Sequence, residues 1–202
     1  FSYDVAGNRT QKRVNGSVVQ TNVYDAANRL TSSNGLNATH DVLGNLTSLG
    51  NETYTWNARG ELTGFSKPGT SASFGYDVLG RRSSSTLNGS TRTFGYDGLE
   101  VLGSLPGLGV DDTLRLPGGA YPIRDVRGSV VAHTDGNGTV TQTLGGYGPY
   151  GEGGVSNVGD RLWQWTGREN DGTGLYYLRN RYYSTNLGRF ISEDPIGFGG
   201  GE

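Results

Sequence analysis

One run of the sequence has the spacing of a nucleotide-binding loop. Gly146 to Gly151 spells G-x-G-x-x-G. This pattern cradles a dinucleotide phosphate only when it follows a strand and opens a helix. Pro149 and the glycines that follow Gly151 do not favour a helix, so we expect no nucleotide site there.

Two further features have residue types that could bind a metal. Asp135-Gly-Asn137-Gly-Thr139 begins like a calcium loop, but Val140 stands at the sixth position, where a Gly is needed, and the bidentate Glu is missing. A hairpin turn is the better interpretation. His40 and His133 are far apart in sequence and have no neighbouring ligand pattern. We therefore predict no metal site and no cofactor.

Asn-x-Ser/Thr, the acceptor pattern for N-glycosylation, occurs seven times. Two interpretations stay open: the sites are glycosylated on an exported protein, or turn chemistry alone places Asn before Thr or Ser. The seven residues are Asn8, Asn15, Asn37, Asn45, Asn51, Asn88 and Asn137.

The chain repeats one phrase, an aromatic residue followed by Asp and then by Gly. The phrase begins at Tyr3, Tyr24, His40, Trp56 and Tyr76, with weaker copies at Tyr96 and Arg124; the starts are 21, 16, 16, 20, 20 and 28 residues apart. Such spacing is typical of a repeat array. The residues predicted to define the repeats are Tyr3, Asp4, Gly7, Tyr24, Asp25, Asp41, Gly44, Trp56, Gly60, Tyr76, Asp77, Gly80, Tyr96 and Asp97.

Each repeat has the residues of a β-hairpin. The aromatic residue favours a strand and buries its ring on one face of a sheet. The Asp can accept hydrogen bonds from nearby backbone N–H groups, and the Gly supplies a positive φ. Asn28 takes the place of the Gly in the shortened second repeat. Because Asn-Gly pairs lie between the repeats, we predict an all-β antiparallel meander.

Composition indicates a thin structure. Only 33% of the residues are hydrophobic, and 36 are Gly. We expect too little apolar material for two packed sheets, and so a curved shell whose open edges join further repeats or other copies. The net charge of −2 and the absence of a long apolar run argue against nucleic-acid binding and a membrane span. The absence of Met predicts a fragment, a processed product or a segment of a longer chain, and the absence of Cys fits an exported protein.

The C-terminal part carries a more specific pattern. Leu175 to Gly197 reads LYYLRNRYYSTNLGRFISEDPIG, preceded by YGPYGE and WTGREND. This run resembles the Rhs-associated core, and the repeats resemble the YD repeats of the same family. The resemblance implies repeats over 1–144 and a core segment over 145–202. The motif residues of the core are Arg181, Tyr182, Tyr183, Gly188, Arg189, Phe190, Pro195 and Gly197.

In the Rhs family, a β-sheet spirals into a hollow shell, which the core closes by winding inward as a plug. In toxin members an effector follows the core. The resemblance also makes Asp194 one half of an aspartyl autoprotease, in which two carboxylates share a proton. The second Asp-Pro motif does not occur up to Glu202.

Two interpretations of these core residues stay open. Asp194 either acts in self-cleavage of a full-length parent or holds an Asp-Pro turn. Arg181 and Arg189 either adjust the charge of Asp194 or Glu193, or lock the core in place by stacking on aromatic rings and forming ion pairs.

The sequence thus favours a non-enzymatic shell segment that encloses and helps deliver a C-terminal toxin or effector of the same polypeptide. The alternatives are an extracellular surface, filament or adhesion module that assembles through its sheet edges, and a protein that cleaves itself once. Each predicts a secreted or cell-surface location. The expected partners are the remaining repeats or the effector.

Overall fold

The computed structural model describes residues 1–98, 100–103, 120–144, 146–153 and 163–197. Its largest element is an 11-stranded antiparallel sheet, here called the hairpin sheet, in which each strand pairs with its neighbours in sequence. The strands are β1 Ser2–Tyr3, β2 Arg9–Val14, β3 Ser17–Tyr24, β4 Leu30–Ser33, β5 Leu36–His40, β6 Leu46–Leu49, β7 Glu52–Trp56, β8 Leu62–Lys67, β9 Thr70–Tyr76, β10 Arg82–Leu87 and β11 Ser90–Thr93.

Three smaller antiparallel sheets follow. The first pairs β12 Gly95–Asp97 with β13 Glu100–Gly103, and the second contains β14 Tyr121–Arg124, β15 Val130–Thr134 and β16 Val140–Thr143. The third, here called the C-terminal sheet, contains β17 Glu169–Asn170, β18 Leu175–Leu178, β19 Arg181–Ser184 and β20 Arg189–Phe190, and a short 3-10 turn, Trp165–Gly167, precedes it.

The all-β antiparallel class expected from the repeats is confirmed. Within the described ranges, no helix has the length and apolar character needed to cross a bilayer. The side chain of Asp97 and the boundary residue Gly145 lie outside the described residues. The division at residue 145 therefore stays a prediction.

The C-terminal sheet packs on one face of the hairpin sheet, because one core cluster contains residues of both. Leu46 and Leu62 of the hairpin sheet share this cluster with Leu175, Tyr182 and Ile191. The expectation that the chain has too little apolar material for two packed sheets is therefore wrong.

Polar side chains explain the difference, since they fill part of the buried face by bonding to one another. Gln20 donates to Ser33 Oγ at 3.2 Å, Arg9 donates to Gln20 Oε1 at 3.0 Å, and Asn22 donates to the Arg9 carbonyl at 3.0 Å. Buried polar groups are tolerated when they are paired in this way.

Candidate functional site: the face between the hairpin sheet and the C-terminal sheet

The hairpins are closed by a five-residue turn that the Asp of each repeat organises. Asp77 Oδ1 accepts hydrogen bonds from the backbone N–H groups of Leu79 and Arg81, both at 2.9 Å, and Gly80 N donates to the Asp77 carbonyl at 3.0 Å. The turn needs a positive φ at its fourth position. That φ is 82° at Gly7, 61° at Asn28, 79° at Gly44, 73° at Gly60 and 77° at Gly80.

The same backbone turn also forms where the sequence has no Asp. In the G-x-G-x-x-G run, Gly148 N donates to the Glu152 carbonyl at 2.7 Å and Gly151 N donates to the Gly148 carbonyl at 3.0 Å. Glu152 supplies the missing carboxylate, which accepts from Tyr150 N at 2.8 Å. In the described residues the turn occurs nine times, starting at Asp4, Asp25, Asp41, Asn57, Asp77, Asp125, Asp135, Gly148 and Gln164.

The calcium-like run from Asp135 to Thr139 is one of these nine turns, as the sequence indicated. Within the described ranges, no three His, Asp or Glu residues come together as a metal site. His40 lies on β5 and His133 on β15. Burial lowers the pKa of His40, and the nearby charge of Arg29 lowers it further.

In several repeats, a hydrogen bond from a Tyr or Trp ring joins the repeat to the one before it. Tyr76 Oη donates to the Leu62 carbonyl at 2.7 Å, and Trp56 Nε1 donates to the Leu46 carbonyl at 2.7 Å. Tyr24, Tyr96 and Tyr147 donate in the same way to the carbonyls of Arg9, Arg82 and Val130. In each of these five bonds, the acceptor lies five residues after the first residue of the turn in the preceding repeat. The burial of the rings, expected from the sequence, is wrong for Tyr3, which is 51% exposed. Sequence reasoning also missed this bond, which satisfies the polar tip of each donor ring.

The side chain at the acceptor position faces the C-terminal sheet. In the three middle repeats it is a Leu, at Leu30, Leu46 and Leu62, and all three belong to the shared core cluster. In the first and fifth repeats it is Arg9 or Arg82, and both are buried. The face therefore has an apolar centre with a buried guanidinium on each side.

Arg82 forms a buried ion pair with Asp171, which precedes β18. Ser85 Oγ donates to the same carboxylate at 3.1 Å. The guanidinium carbon lies 4.4 Å from the ring centroid of Tyr177 and 4.6 Å from that of Phe94. Burial opposes a charge on Arg82, but the Asp171 carboxylate outweighs it and holds the pKa of Arg82 above its usual value.

Arg9 occupies the corresponding place on the other side. It donates to Gln20 Oε1 and to the Asn186 carbonyl, and its guanidinium carbon lies 4.6 Å from the Tyr150 ring centroid. Gly188 must be small here, because a Cβ at that position would lie 2.6 Å from Arg9 Nη1. The Gly188 motif position is thus explained by close packing.

Between these two arginines, further bonds join the sheets. The N–H of Leu46 donates to the Ile191 carbonyl at 2.9 Å, and Lys67 Nζ donates to the Thr173 carbonyl at 3.0 Å. Tyr182 and Tyr183 of β19 are buried, and the Phe74 and Tyr182 ring centroids are 5.1 Å apart. These contacts hold the C-terminal sheet across five repeats.

Asp194 lies at the edge of this face, in a turn and in an ion pair. Its Oδ2 is 2.8 Å from Arg181 Nη2, and its carbonyl accepts from Gly197 N at 2.8 Å across the turn that contains Pro195. The Arg181 guanidinium carbon also lies 3.7 Å from the Phe190 ring centroid. Arg181 therefore both pairs with the Asp194 carboxylate and stacks on an aromatic ring. Catalysis by Asp194 stays a prediction.

Arg189 was considered as a charge partner of Asp194 or Glu193, but it contacts the second repeat. Its Nη2 donates to the Asn28 carbonyl at 2.8 Å, and its guanidinium carbon lies 5.0 Å from the Tyr24 ring centroid. Arg189 thus ties β20 to the turn of the second repeat.

The candidate glycosylation residues differ in accessibility. Asn45 is buried and donates to Asp41 Oδ2 at 2.9 Å, and Asn8 donates to Asp4 Oδ2 at 2.9 Å. The other five are exposed: Asn15, Asn37, Asn51, Asn88 and Asn137. Their glycosylation stays a prediction.

The turn carboxylates predict a loss of stability in acid. A side-chain hydrogen bond from Asn8 lowers the pKa of Asp4, and a backbone hydrogen bond from Arg29 lowers that of Asp25. Hydrogen bonds outweigh burial and lower the pKa of Asp77 and Asp125 as well. A lowered pKa in the folded state gives stability that is present above the ordinary value of 3.8 and is lost as the pH falls through the folded value.

The test replaces these four residues by Asn, which keeps the Oδ1 acceptor and stands naturally at Asn57. Urea unfolding between about pH 2 and pH 6 should show a smaller acid dependence in the variant. An unchanged dependence would contradict the role of the turn carboxylates.

Glu169 predicts the opposite pH dependence. Burial raises the pKa of Glu169, although the charge of Arg82 opposes this shift. A raised pKa gives stability that is present below the ordinary value of 4.5 and is lost as the pH rises through the folded value. Glu169→Gln should therefore raise the urea midpoint at about pH 8, with a smaller gain in acid. Glu193→Gln, at an exposed position, is the control; an equal gain there would contradict the prediction.

The turns, the aromatic links and the inward-packed C-terminal sheet define a shell built from tandem hairpins, and known proteins share it. Residues 1–97 match the family model described as Teneurin YD-shell. A crystal structure of TcdB2-TccC3 superposes on 98% of this chain and 12% of its own with a TM-score of 0.64 at 20% identity, which shows the common fold. The chain belongs to the Rhs/YD-repeat family.

Two curated relatives match almost the whole chain. The tRNA3(Ser)-specific nuclease WapA of Bacillus spizizenii is 31% identical over 96% of this chain. The double-stranded DNA deaminase toxin A of Burkholderia cenocepacia is 26% identical over 100% of it. The match spans 9% of the first relative's length and 15% of the second's.

Proposed function

We propose that this chain is a non-enzymatic segment of a shell that encloses and helps deliver a toxin or effector of the same polypeptide. One observation carries the proposal: the same segment is similar to parts of two proteins whose names describe different reactions, a tRNA nuclease and a DNA deaminase toxin. A segment shared by proteins that catalyse different reactions is more suited to carrying an effector than to catalysing either reaction.

The contacts of the described residues support a structural role. The charged groups of the buried face are used in packing, as Arg82 and Asp171 show. The C-terminal sheet is held by main-chain and side-chain bonds across five repeats. An effector joined beyond that sheet would be tethered to the wall, with the remaining repeats as further partners. We propose a secreted or cell-surface location on the same grounds.

Protease protection tests the proposal in the full-length parent. Sequence that follows Glu202 should be resistant to trypsin in the native parent and should be digested in an Arg82→Met variant, in which the C-terminal sheet is loosened. Arg59→Met, at an exposed residue, is the matched control. Equal digestion of the downstream sequence in all three proteins would overturn the enclosing role.

A surface or filament module is the second candidate, and the outer turns favour it. Val5, Val42, Val78 and Val126 follow the turn Asp in four repeats, and all four are almost fully exposed. Such a row of apolar tips suits contact with another copy. Light scattering tests this candidate: a monodisperse monomer at high concentration would count against it, and dissociation by Val42→Lys would support it.

We further propose that Asp194 is structural in this chain, on the strength of its ion pair with Arg181 and its turn bonds. Asp194→Asn in a full-length parent should leave processing unchanged. A parent that is cut only when Asp194 is present would show self-cleavage instead.

A further inference from the structure

A cleft beside the packed face is rich in arginine. It has a volume of about 760 Å³ and lies where the turn after β9 approaches the 3-10 turn and the β18–β19 turn. Its lining includes Arg81, Arg124, Arg168, Arg179 and Arg181, against Glu169 and Asp194. A cleft lined by one sign of charge attracts ligands of the opposite sign.

Only part of this positive charge is neutralised within the described residues. Arg81 pairs with Asp77 at 2.7 Å, and Arg181 pairs with Asp194 at 2.8 Å. Arg124 and Arg168 make no ion pair with a described carboxylate. Glu169 also lines the cleft and is buried; burial raises its pKa, although the charges of Arg82 and Arg168 oppose the shift.

Arg124 is held in a fixed place beside the 3-10 turn. Its Nη1 donates to the Gly128 carbonyl at 3.1 Å. A Cβ at position 167 would lie 2.8 Å from the same nitrogen, so Gly167 allows the guanidinium to lie against the turn. Arg124 is nevertheless exposed, so its guanidinium is accessible to an anion that enters the cleft.

Arg179 has a backbone conformation that arginine rarely adopts. Its φ is 60°, in the two-residue turn between the paired residues Leu178 and Arg181. Gly or Asn adopts this conformation more easily. Strained residues of this kind cluster at binding sites, and the exposed Arg179 side chain lines the cleft.

The lining also has an apolar and aromatic part, which includes Leu79, Trp163, Tyr177, Leu178 and Pro195. A small inorganic anion would make no favourable apolar contacts with this part of the lining. A peptide that alternates acidic and apolar side chains matches both parts of the lining, and the volume is in the range of ligand-binding clefts.

We propose that this cleft binds an acidic peptide, with its carboxylates on Arg124 and Arg168 and its apolar side chains on the aromatic lining. The binding is charge-driven, so its affinity falls as the ionic strength rises. The inference does not depend on the enclosing role proposed above.

Fluorescence anisotropy with the labelled peptide ELEFEE tests the proposal. The chain should bind ELEFEE and not the neutral QLQFQQ. The double variant Arg124→Gln/Arg168→Gln should weaken binding at least about tenfold, whereas Arg13→Gln/Arg59→Gln, which removes the same charge elsewhere, should change it less than about twofold.

A second variant separates binding from folding. Arg179→Gly relieves the positive φ, so it should raise the urea midpoint while weakening the binding of ELEFEE. No binding of ELEFEE, equal losses in the two double variants, or equal affinity for QLQFQQ would overturn the proposal. So would inorganic phosphate that competes at the same concentration as the peptide, or a single-stranded oligonucleotide that binds more tightly.

Discussion

Arg82→Met is expected to lower the free energy of unfolding by about 3–5 kcal/mol, because it leaves Asp171 buried without its charged partner. The side chains of both residues are almost completely removed from solvent. Burial thus gives this ion pair a much larger effect than the exposed pair between Arg59 and Glu61. Urea unfolding at neutral pH measures the loss.

The control for this prediction removes both charges. Arg82→Met/Asp171→Leu should recover most of the stability, because replacing a buried pair by apolar groups is often neutral or stabilising. A double variant as unstable as Arg82→Met would show that the lost packing of the guanidinium on Tyr177 and Phe94 causes the effect, and not the unpaired carboxylate.

Leu62→Ala is expected to lower the free energy of unfolding by about 2–5 kcal/mol, because it opens a cavity between the two sheets. Leu62 is fully buried and belongs to the cluster that joins both sheets. Hydrogen exchange should show faster exchange at amides of the C-terminal sheet, such as that of Leu175, together with the fall in the urea midpoint.

Val78→Ala is the matched control, since Val78 is 91% exposed at the tip of a turn. Its effect should be within about 0.5 kcal/mol. If Leu62→Ala costs no more than Val78→Ala, or if it leaves exchange in the C-terminal sheet unchanged, the packing of the two sheets would be contradicted.

The hairpins could be predicted from the sequence because their signals are local. The Asp of each repeat bonds to N–H groups two and four residues later, and the Gly lies between them. A window of five residues therefore holds all the information that the turn needs. The shortened second repeat follows the same rule, since Asn28 tolerates the required φ.

The buried face could not be predicted in the same way, because its partners are far apart in sequence. Arg82 and Asp171 are separated by 89 residues. Arg82 also directly follows Arg81, and nothing in the local sequence distinguishes the buried arginine from the one that pairs within the turn. The turns at Gly148 and Gln164 were missed because their first residues lack the Asp or Asn side chain that marks the others.

The core residues were recognised through family resemblance, and the structure gives several of them a physical reason. Gly188 makes room for Arg9, Arg189 reaches the turn at Asn28, and Arg181 stacks on Phe190 while it pairs with Asp194. None of these contacts could be inferred from spacing along the chain, because each depends on how β19 and β20 lie against the repeats.

The bonds between the two sheets fix the number of hairpins that the C-terminal sheet can span. Arg9 is tied to Asn186, Leu46 to Ile191 and Arg82 to Asp171, so the C-terminal sheet fits a fixed count of hairpins. Deleting one hairpin between Arg9 and Arg82 would displace one anchor by roughly 10 Å, the width of two strands. Whole hairpins can therefore be added to or removed from the hairpin sheet only before Arg9 or after Arg82, where no bond to the C-terminal sheet would be displaced.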